Sequence, residues 1–155
     1  MQGAKLEISK QLWMELVLQL RLSGEGKKES GAFLLAKPGV NEISNFICYH
    51  DLDPGCYSHK IIVFNSEGYS KLWQYCLENN LTVVADIHTH PTSWTGQSDA
   101  DQNHPMILQK GHLAMIAPNY AQGKMSSLKG VGLYEYLGDK TWKTIKNKSK
   151  KFVIR

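Results

Sequence analysis

The chain has 155 residues and a mass of 17.5 kDa, a length that suits one domain of roughly 100–200 residues. With 42% hydrophobic and 21% charged residues, its composition is that of a globular protein, which excludes a disordered or fibrous chain. The net charge of +4 is unevenly placed. Residues 140–155 hold seven cations and no acid, so 1–139 carry eleven basic against fourteen acidic residues, a net of −3. The basic run reads as a solvated C-terminal appendage to the domain. No nucleic-acid recognition motif accompanies it, so nucleic acid is not an expected partner.

No segment reaches the ~20 apolar residues that span a bilayer. Met1 to Ser9 shows no signal-peptide core and cleavage site. Cys48, Cys56 and Cys76 are too few for a disulfide framework and lack a CxxC pair. They read as buried thiols in a reducing, cytoplasmic compartment, with no membrane partner.

Ser9 to Arg21 places Leu12, Leu16 and Leu20 in one helical row beside Trp13 and Val17, with Ser9 as N-cap. Gly31 to Ala36 is a short apolar run and predicts a buried strand. Pro38-Gly39 marks a turn, and Glu42 to Tyr49 alternates as a second strand, so the two form a hairpin. Asp51 to Ser58 reads as a loop and Lys60 to Phe64 as a short strand. Glu67 to Glu78 predicts an amphipathic helix with Tyr69, Leu72, Trp73, Cys76 and Leu77 inward, ended by Asn79-Asn80. Leu81 to His88 is the strongest strand. Pro91 to Asp99 is a polar loop, and a short helix starts within Ala100 to Lys110. His112 to Ala117 and Val131 to Leu137 predict strands, and Thr141 to Ile145 an edge strand. The expected architecture is one domain over 1–155, α/β (α+β), with helices packed on a mixed, largely antiparallel curved sheet.

The chemistry concentrates in Ala85-Asp86-Ile87-His88-Thr89-His90-Pro91 and Gln97-Ser98-Asp99-Ala100-Asp101. Residues two apart on a strand share a side, so His88 and His90 project together where Pro91 stops the strand. Such a pair can hold two corners of a tetrahedral metal, and a loop can return Asp101 as the third. Two His and one carboxylate form a set that zinc accepts, leaving a fourth position for water. A lone HxH pair is also a frequent surface or structural feature. The cupin pattern fails, because Trp94 and Thr95 stand where it needs Glu. The metallo-β-lactamase pattern fails at Thr92 and Ser93. Amidohydrolases need a barrel of ~250 residues, longer than this chain.

The remaining pattern is His-x-His, seven residues, then Ser-x-x-Asp: His88, His90, Ser98 and Asp101. Upstream, Glu29-Ser30-Gly31-Ala32-Phe33-Leu34-Leu35 supplies a glutamate before an apolar strand that begins with a small residue. Together they resemble the JAMM motif of the MPN/JAB-domain zinc metalloproteases, over Glu29 to about Tyr120. The segments Gln97 to Met106 and Gly111 to Pro118 look like the small stand-alone bacterial branch, which often accompanies ubiquitin-activating-like and conjugating-like enzymes.

The resemblance implies an MPN/JAB fold with cytidine-deaminase-like layering. It implies that His88, His90 and Asp101 bind one Zn²⁺ with water as fourth ligand. Glu29 is then the general base, and Ser98 hydrogen-bonds the developing oxyanion. The implied activity is a deubiquitinase-like isopeptidase or peptidase. It cuts after the C-terminal tail of a ubiquitin-like protein, processing a precursor or removing the modifier from a target. Two alternatives stay open: a zinc amidohydrolase acting on a small amide or a modifier–metabolite conjugate, and a non-catalytic MPN scaffold.

Several residues keep two readings. Ser98 is an N-cap for the turn holding Asp101, a hydrogen-bond donor in catalysis, or both. Asp86 either orients a ligand imidazole or is a strand acid satisfied by backbone or water. His104 lies close to Asp101 in sequence but is not expected to ligate, and Asp99 is expected to face solvent. His112 reads as a packing or core hydrogen-bonding residue, and His50 and His59 as loop residues. Trp94 either touches substrate or covers the sheet.

Overall fold

The structure is a computed structural model and describes residues 5–57 and 62–155. Six strands form the main sheet in the order β4 (Asn45–Cys48), β2 (Gly31–Ala36), β5 (Thr82–Thr89), β6 (Leu113–Ala117), β7 (Gly132–Gly138), β8 (Thr141–Thr144). Only β5 and β6 run parallel within it; the other four pairings are antiparallel. The expected mixed, largely antiparallel sheet is therefore present, with helices on both faces.

Helix α1 (Lys10–Gly24) covers one face. The Ser9 hydroxyl caps it by accepting the Leu12 N–H at 3.1 Å. Its Trp13, Leu16, Val17 and Leu20 are buried against Ala32, Leu34, Ala85, Ile87 and Met115. Each such aliphatic side chain contributes ~1.5–3 kcal/mol by leaving water. The opposite face carries α2 (Tyr49–Leu52) and α3 (Ser66–Asn79), and the short α4 (Asp99–Asn103) lies between β5 and β6 in the chain. There Phe33 and Leu35 pack with Tyr49, Leu72 and Cys76.

The sequence reading departs from the structure at several places. Residues 42–49 do not form one strand. Glu42–Ile43 (β3) leaves the main sheet for a second, three-stranded one, and only β4 pairs with β2. Tyr49–Leu52 is helical, so His50 lies on α2 instead of in a loop. The expected strand at 60–64 falls partly outside the described residues, and Ile62, Val63 and Phe64 are not in a strand. His59 lies outside the described residues too. In α3 the buried row is Gly68, Leu72 and Cys76, whereas Trp73 is 50% and Leu77 84% exposed. The helix presents a narrower stripe to the sheet than its apolar content suggests. The helix expected within 100–110 stops at Asn103.

The largest correction concerns 140–155, which is not an appendage. It supplies edge strand β8 and strand β9 (Phe152–Ile154), which pairs in parallel with β1 (Leu6–Ile8) beside β3. Phe152 is buried in the α1-side core. Two of the seven cations are paired: Lys151 with Glu135 at 3.1 Å and Arg155 with Glu7 at 2.8 Å.

Candidate metal centre

Strand β5 carries His88 at its carboxyl end, and His90 follows the strand directly. The backbone of His90 is held twice: its N–H donates to the Ala117 carbonyl and its carbonyl accepts the Tyr120 N–H, both at 2.8 Å. The neighbouring Asn119 N–H donates to Thr92 O at 2.9 Å. The loop after the strand is thereby pinned to the turn after β6.

Asp101 reaches the same point from α4. The Ser98 hydroxyl accepts the Asp101 N–H at 3.1 Å, and the Asp101 carboxylate accepts the Ser98 N–H at 2.9 Å. This reciprocal cap satisfies two free amide groups of a helix of only five residues. It also aims the carboxylate. His88 Nε2 lies 3.2 Å from Asp101 Oδ1, and His90 Nε2 lies 3.1 Å from Oδ2. The ligand atoms of the three residues all lie within 4.8 Å of one another, so they can hold a metal ion.

The donor set suits a divalent cation with open positions. His90 Nδ1 is 3.2 Å from the Trp94 carbonyl. A carbonyl can only accept, so Nδ1 carries the hydrogen, and in the neutral ring Nε2 keeps its lone pair for a metal. The Trp94 indole stacks on the same imidazole with ring centroids 5.3 Å apart. Trp94 therefore orients a donor residue and lines the cleft.

Burial would raise the Asp101 carboxyl, but the hydrogen bond and charge of His88, the close His90 imidazole and the Ser98 amide hold it well below the usual carboxylate range. Burial would lower the His88 imidazole, yet the Asp101 hydrogen bond and charge, with Asp86 and Glu29 nearby, raise it above its ordinary value. Both shifts describe a compact set of opposite charges.

Glu29 enters from the segment before β2. Gly31 pairs in register with His88. A Cβ at residue 31 would collide with the Tyr49 ring and the Ile87 carbonyl, so only glycine fits where the strand begins. Ser30 is locked to Thr89, the residue between the two histidines. Glu29 therefore opens into the same cleft, about 680 Å³ in volume, as His88, His90, Ser98 and Asp101. Burial raises its carboxyl above the ordinary glutamate value, partly offset by the charges of His88 and His90.

The remaining sequence candidates separate. Among the described residues Asp86 hydrogen-bonds neither His88 nor His90. Its carboxylate lies 2.7 Å from His112 Nε2, both side chains being buried, so His112 fills the expected core role. His104 ends α4 and lines the cleft outside the three-residue metal group. Asp99 is exposed. Trp142 was not foreseen. It projects from β8 into the cleft lining and donates Nε1–H to the Gln102 carbonyl at 3.1 Å. The three cysteines are free and buried, as expected.

No protein-family model matches the chain. Solved structures do. A JAB1/MPN domain protein from Archaeoglobus fulgidus superposes with a TM-score of 0.54 at 14% identity, over 97% of this chain and 99% of that one. The fold is that of a JAB1/MPN domain. A protein from Desulfitobacterium hafniense gives a TM-score of 0.61 at 10% identity, over 97% and 92% of the two chains. A protein from Salinibacter ruber gives 0.59 at 13%, over 90% and 88%. Within this MPN fold, the metal group sits at the carboxyl end of β5. There the chain leaves one strand of the parallel β5–β6 pair before returning as the other. Among the described residues no helix is long and apolar enough to cross a membrane.

Proposed function

We propose that the protein is a zinc-dependent hydrolase of amide bonds, acting at the end of an extended tail of a ubiquitin-like protein. It would trim a precursor or release the modifier from a conjugate. The observation that carries this reading is the convergence of His88, His90 and Asp101 with Glu29 and Ser98 on one cleft of an MPN fold.

His88, His90 and Asp101 would hold the ion. When bound, zinc supplies Lewis acidity that polarises the scissile carbonyl and makes water a nucleophile at neutral pH. Glu29 takes the proton of the attacking water and delivers it to the departing amine, a transfer worth typically 10²–10⁴-fold. The raised carboxyl of Glu29 suits both roles, because a stronger base also returns the proton as a usable acid. Ser98 spends its lone pair on the Asp101 N–H and keeps its own hydrogen. That O–H donates to the carbonyl oxygen as it gains charge, a contribution of ~2–4 kcal/mol at comparable sites. Partners would be the modifier, its conjugates and the activating-like and conjugating-like enzymes of the same system.

The test is purified protein incubated with a ubiquitin-like fusion, before and after chelation and after return of zinc. Cleavage that disappears with the chelator and returns with zinc is expected. A protein that binds stoichiometric zinc yet cuts neither fusions nor small amides would instead be a scaffold.

A further inference from the structure

The cleft that holds the metal group also has an apolar lining, here called the chamber: Ala114 and Ile116 of β6, which we call its floor, with Tyr49, Phe64, Tyr69 and Met106. The rings pack on one another, with centroids 5.5 Å apart for Tyr49–Phe64 and 4.8 Å for Phe64–Tyr69. The Tyr69 hydroxyl donates to the Met106 carbonyl at 2.6 Å and ties α3 to the opposite wall. The chamber is therefore formed before any ligand arrives. No lysine or arginine is among the described residues lining the cleft, whereas Glu29, Asp86 and Asp101 are. The Tyr49 hydroxyl is buried and has no hydrogen-bond partner among the described residues.

We propose that this chamber is a specificity subsite for the bulky, uncharged apolar side chain, aromatic by preference, of a residue flanking the scissile amide. This rests on the hydrolase reading for what happens to that amide. An aromatic ring buries roughly 150–250 Å² and meets edges and faces of rings at favourable separations. An acidic side chain would lose its water and meet Glu29, Asp86 and Asp101, with no lysine or arginine among the described residues lining the cleft to pair with it. A lysine isopeptide brings a thin methylene stem that leaves most of the space empty. The substrate class is thus an α-linked peptide tail carrying a large apolar residue, which favours precursor trimming over deconjugation.

The experiment has a binding arm and a turnover arm on the full chain. N-acetyl-L-phenylalaninamide, N-acetylglycinamide and N-acetyl-L-aspartic acid amide are titrated with and without zinc. Trp94 and Trp142 fluorescence and the Ala114 and Ile116 methyl resonances are followed. The phenylalanine amide should bind about tenfold or more tighter than the other two and should move those methyls. Ala114→Leu, which narrows the floor, should abolish the difference; Met106→Trp, on a loop, replaces it where the strand variant fails to fold. Peptides bearing Phe, Gly, Asp or Lys at each flanking position are then compared. A preference of about tenfold or more for Phe at one position is expected. Equal affinities, shifts confined to other residues, or turnover indifferent to the flanking residue would overturn the subsite and leave the hydrolase reading intact. Selective binding without turnover of any peptide would overturn the hydrolase reading and leave the subsite standing.

Discussion

Ser30 and Thr89 grip each other through two hydrogen bonds: the Thr89 N–H donates to the Ser30 carbonyl at 2.9 Å, and the Thr89 hydroxyl accepts the Ser30 N–H at 3.0 Å. Both residues are fully buried. Ser30 is next to Glu29, and Thr89 separates the two histidines, so the pair sets Glu29 against the candidate metal group. Thr89→Val keeps shape and strand propensity but leaves the buried Ser30 N–H without an acceptor, at ~1–3 kcal/mol. We expect kcat/KM to fall up to about 10²-fold, as for misplacements near 1 Å, with zinc stoichiometry retained. Thr89→Ser should restore most of it. Unchanged kinetics in Thr89→Val would detach this pair from the positioning of Glu29.

Glu29→Gln removes the carboxylate and keeps the volume. Metal content should stay at the level of the unsubstituted protein, and hydrolysis should drop by ~10²–10⁴-fold. Titration of the metal-free protein gives a second readout. Burial raises this carboxyl there, so it ionises at a higher pH than an exposed glutamate. Its carboxyl resonance should titrate above the ordinary glutamate value, and the transition should vanish in Glu29→Gln. A persistent transition would assign that titration to another group.

The site was more legible in the sequence than the frame that holds it. His88, His90, Ser98 and Asp101 lie within fourteen positions, and strand alternation plus one helix cap suffices to bring them together. Gly31 to Ala36 and His112 to Ala117 read as strands because they are short apolar runs, and the strands found there, Gly31–Ala36 and Leu113–Ala117, are buried on both faces. Strands β1 and β9 were invisible. Each has three residues, and they pair from opposite ends of the chain without a turn to announce them. The charge of 140–155 hid Phe152 and Trp142, whose burial and cleft position depend on that pairing and on β8. The two readings of Asp86 could not be separated either, because its partner His112 is 26 residues away.

The turn after β6 is strained. Asn119, Tyr120 and Ala121 take φ of 53°, 56° and 61° in succession, each costing ~1–2 kcal/mol for a non-glycine residue. The two amides that pin the metal loop belong to this turn. Arg21 of α1 holds it, donating to the Ala121 carbonyl at 2.6 Å and to the Gly123 carbonyl. Arg21→Met should loosen the turn and weaken zinc affinity by ~10–100-fold, as loss of groups behind a metal ligand does, with helical content preserved. Competition against a chromogenic chelator measures it. Arg21→Lys, which replaces one of the two contacts, should fall between.

Cys48 and Cys56 have no part in the proposed chemistry, and burial pushes both thiols up to about 12. At pH 8 the thiolate fraction in the native protein is then roughly 10⁻⁴, so alkylation should proceed only through unfolding. The sign for stability follows. The folded thiols ionise later than the unfolded ones, so this contribution is complete below about pH 8.5 and declines as pH rises toward 12. Iodoacetamide should label the native protein at its unfolding rate. Fast labelling at pH 8 in native buffer would show an accessible thiol and contradict the packing.

Asp86 and His112 face each other across β5 and the start of β6, with Asp86 two residues from His88. Their 2.7 Å contact is almost sealed from water, so removing one partner strands the other. His112→Leu leaves a buried carboxylate unpaired and should cost ~3–5 kcal/mol in urea unfolding. Replacing both with leucine removes the stranded group as well as the bond, and such exchanges are often neutral or stabilising. The double variant should therefore recover much of the loss. Because the Asp86 carboxylate is engaged by His112 and not by His88 or His90, the double variant should also bind zinc with unchanged stoichiometry. Failure of the refolded double variant to bind zinc would place Asp86 behind a metal ligand after all.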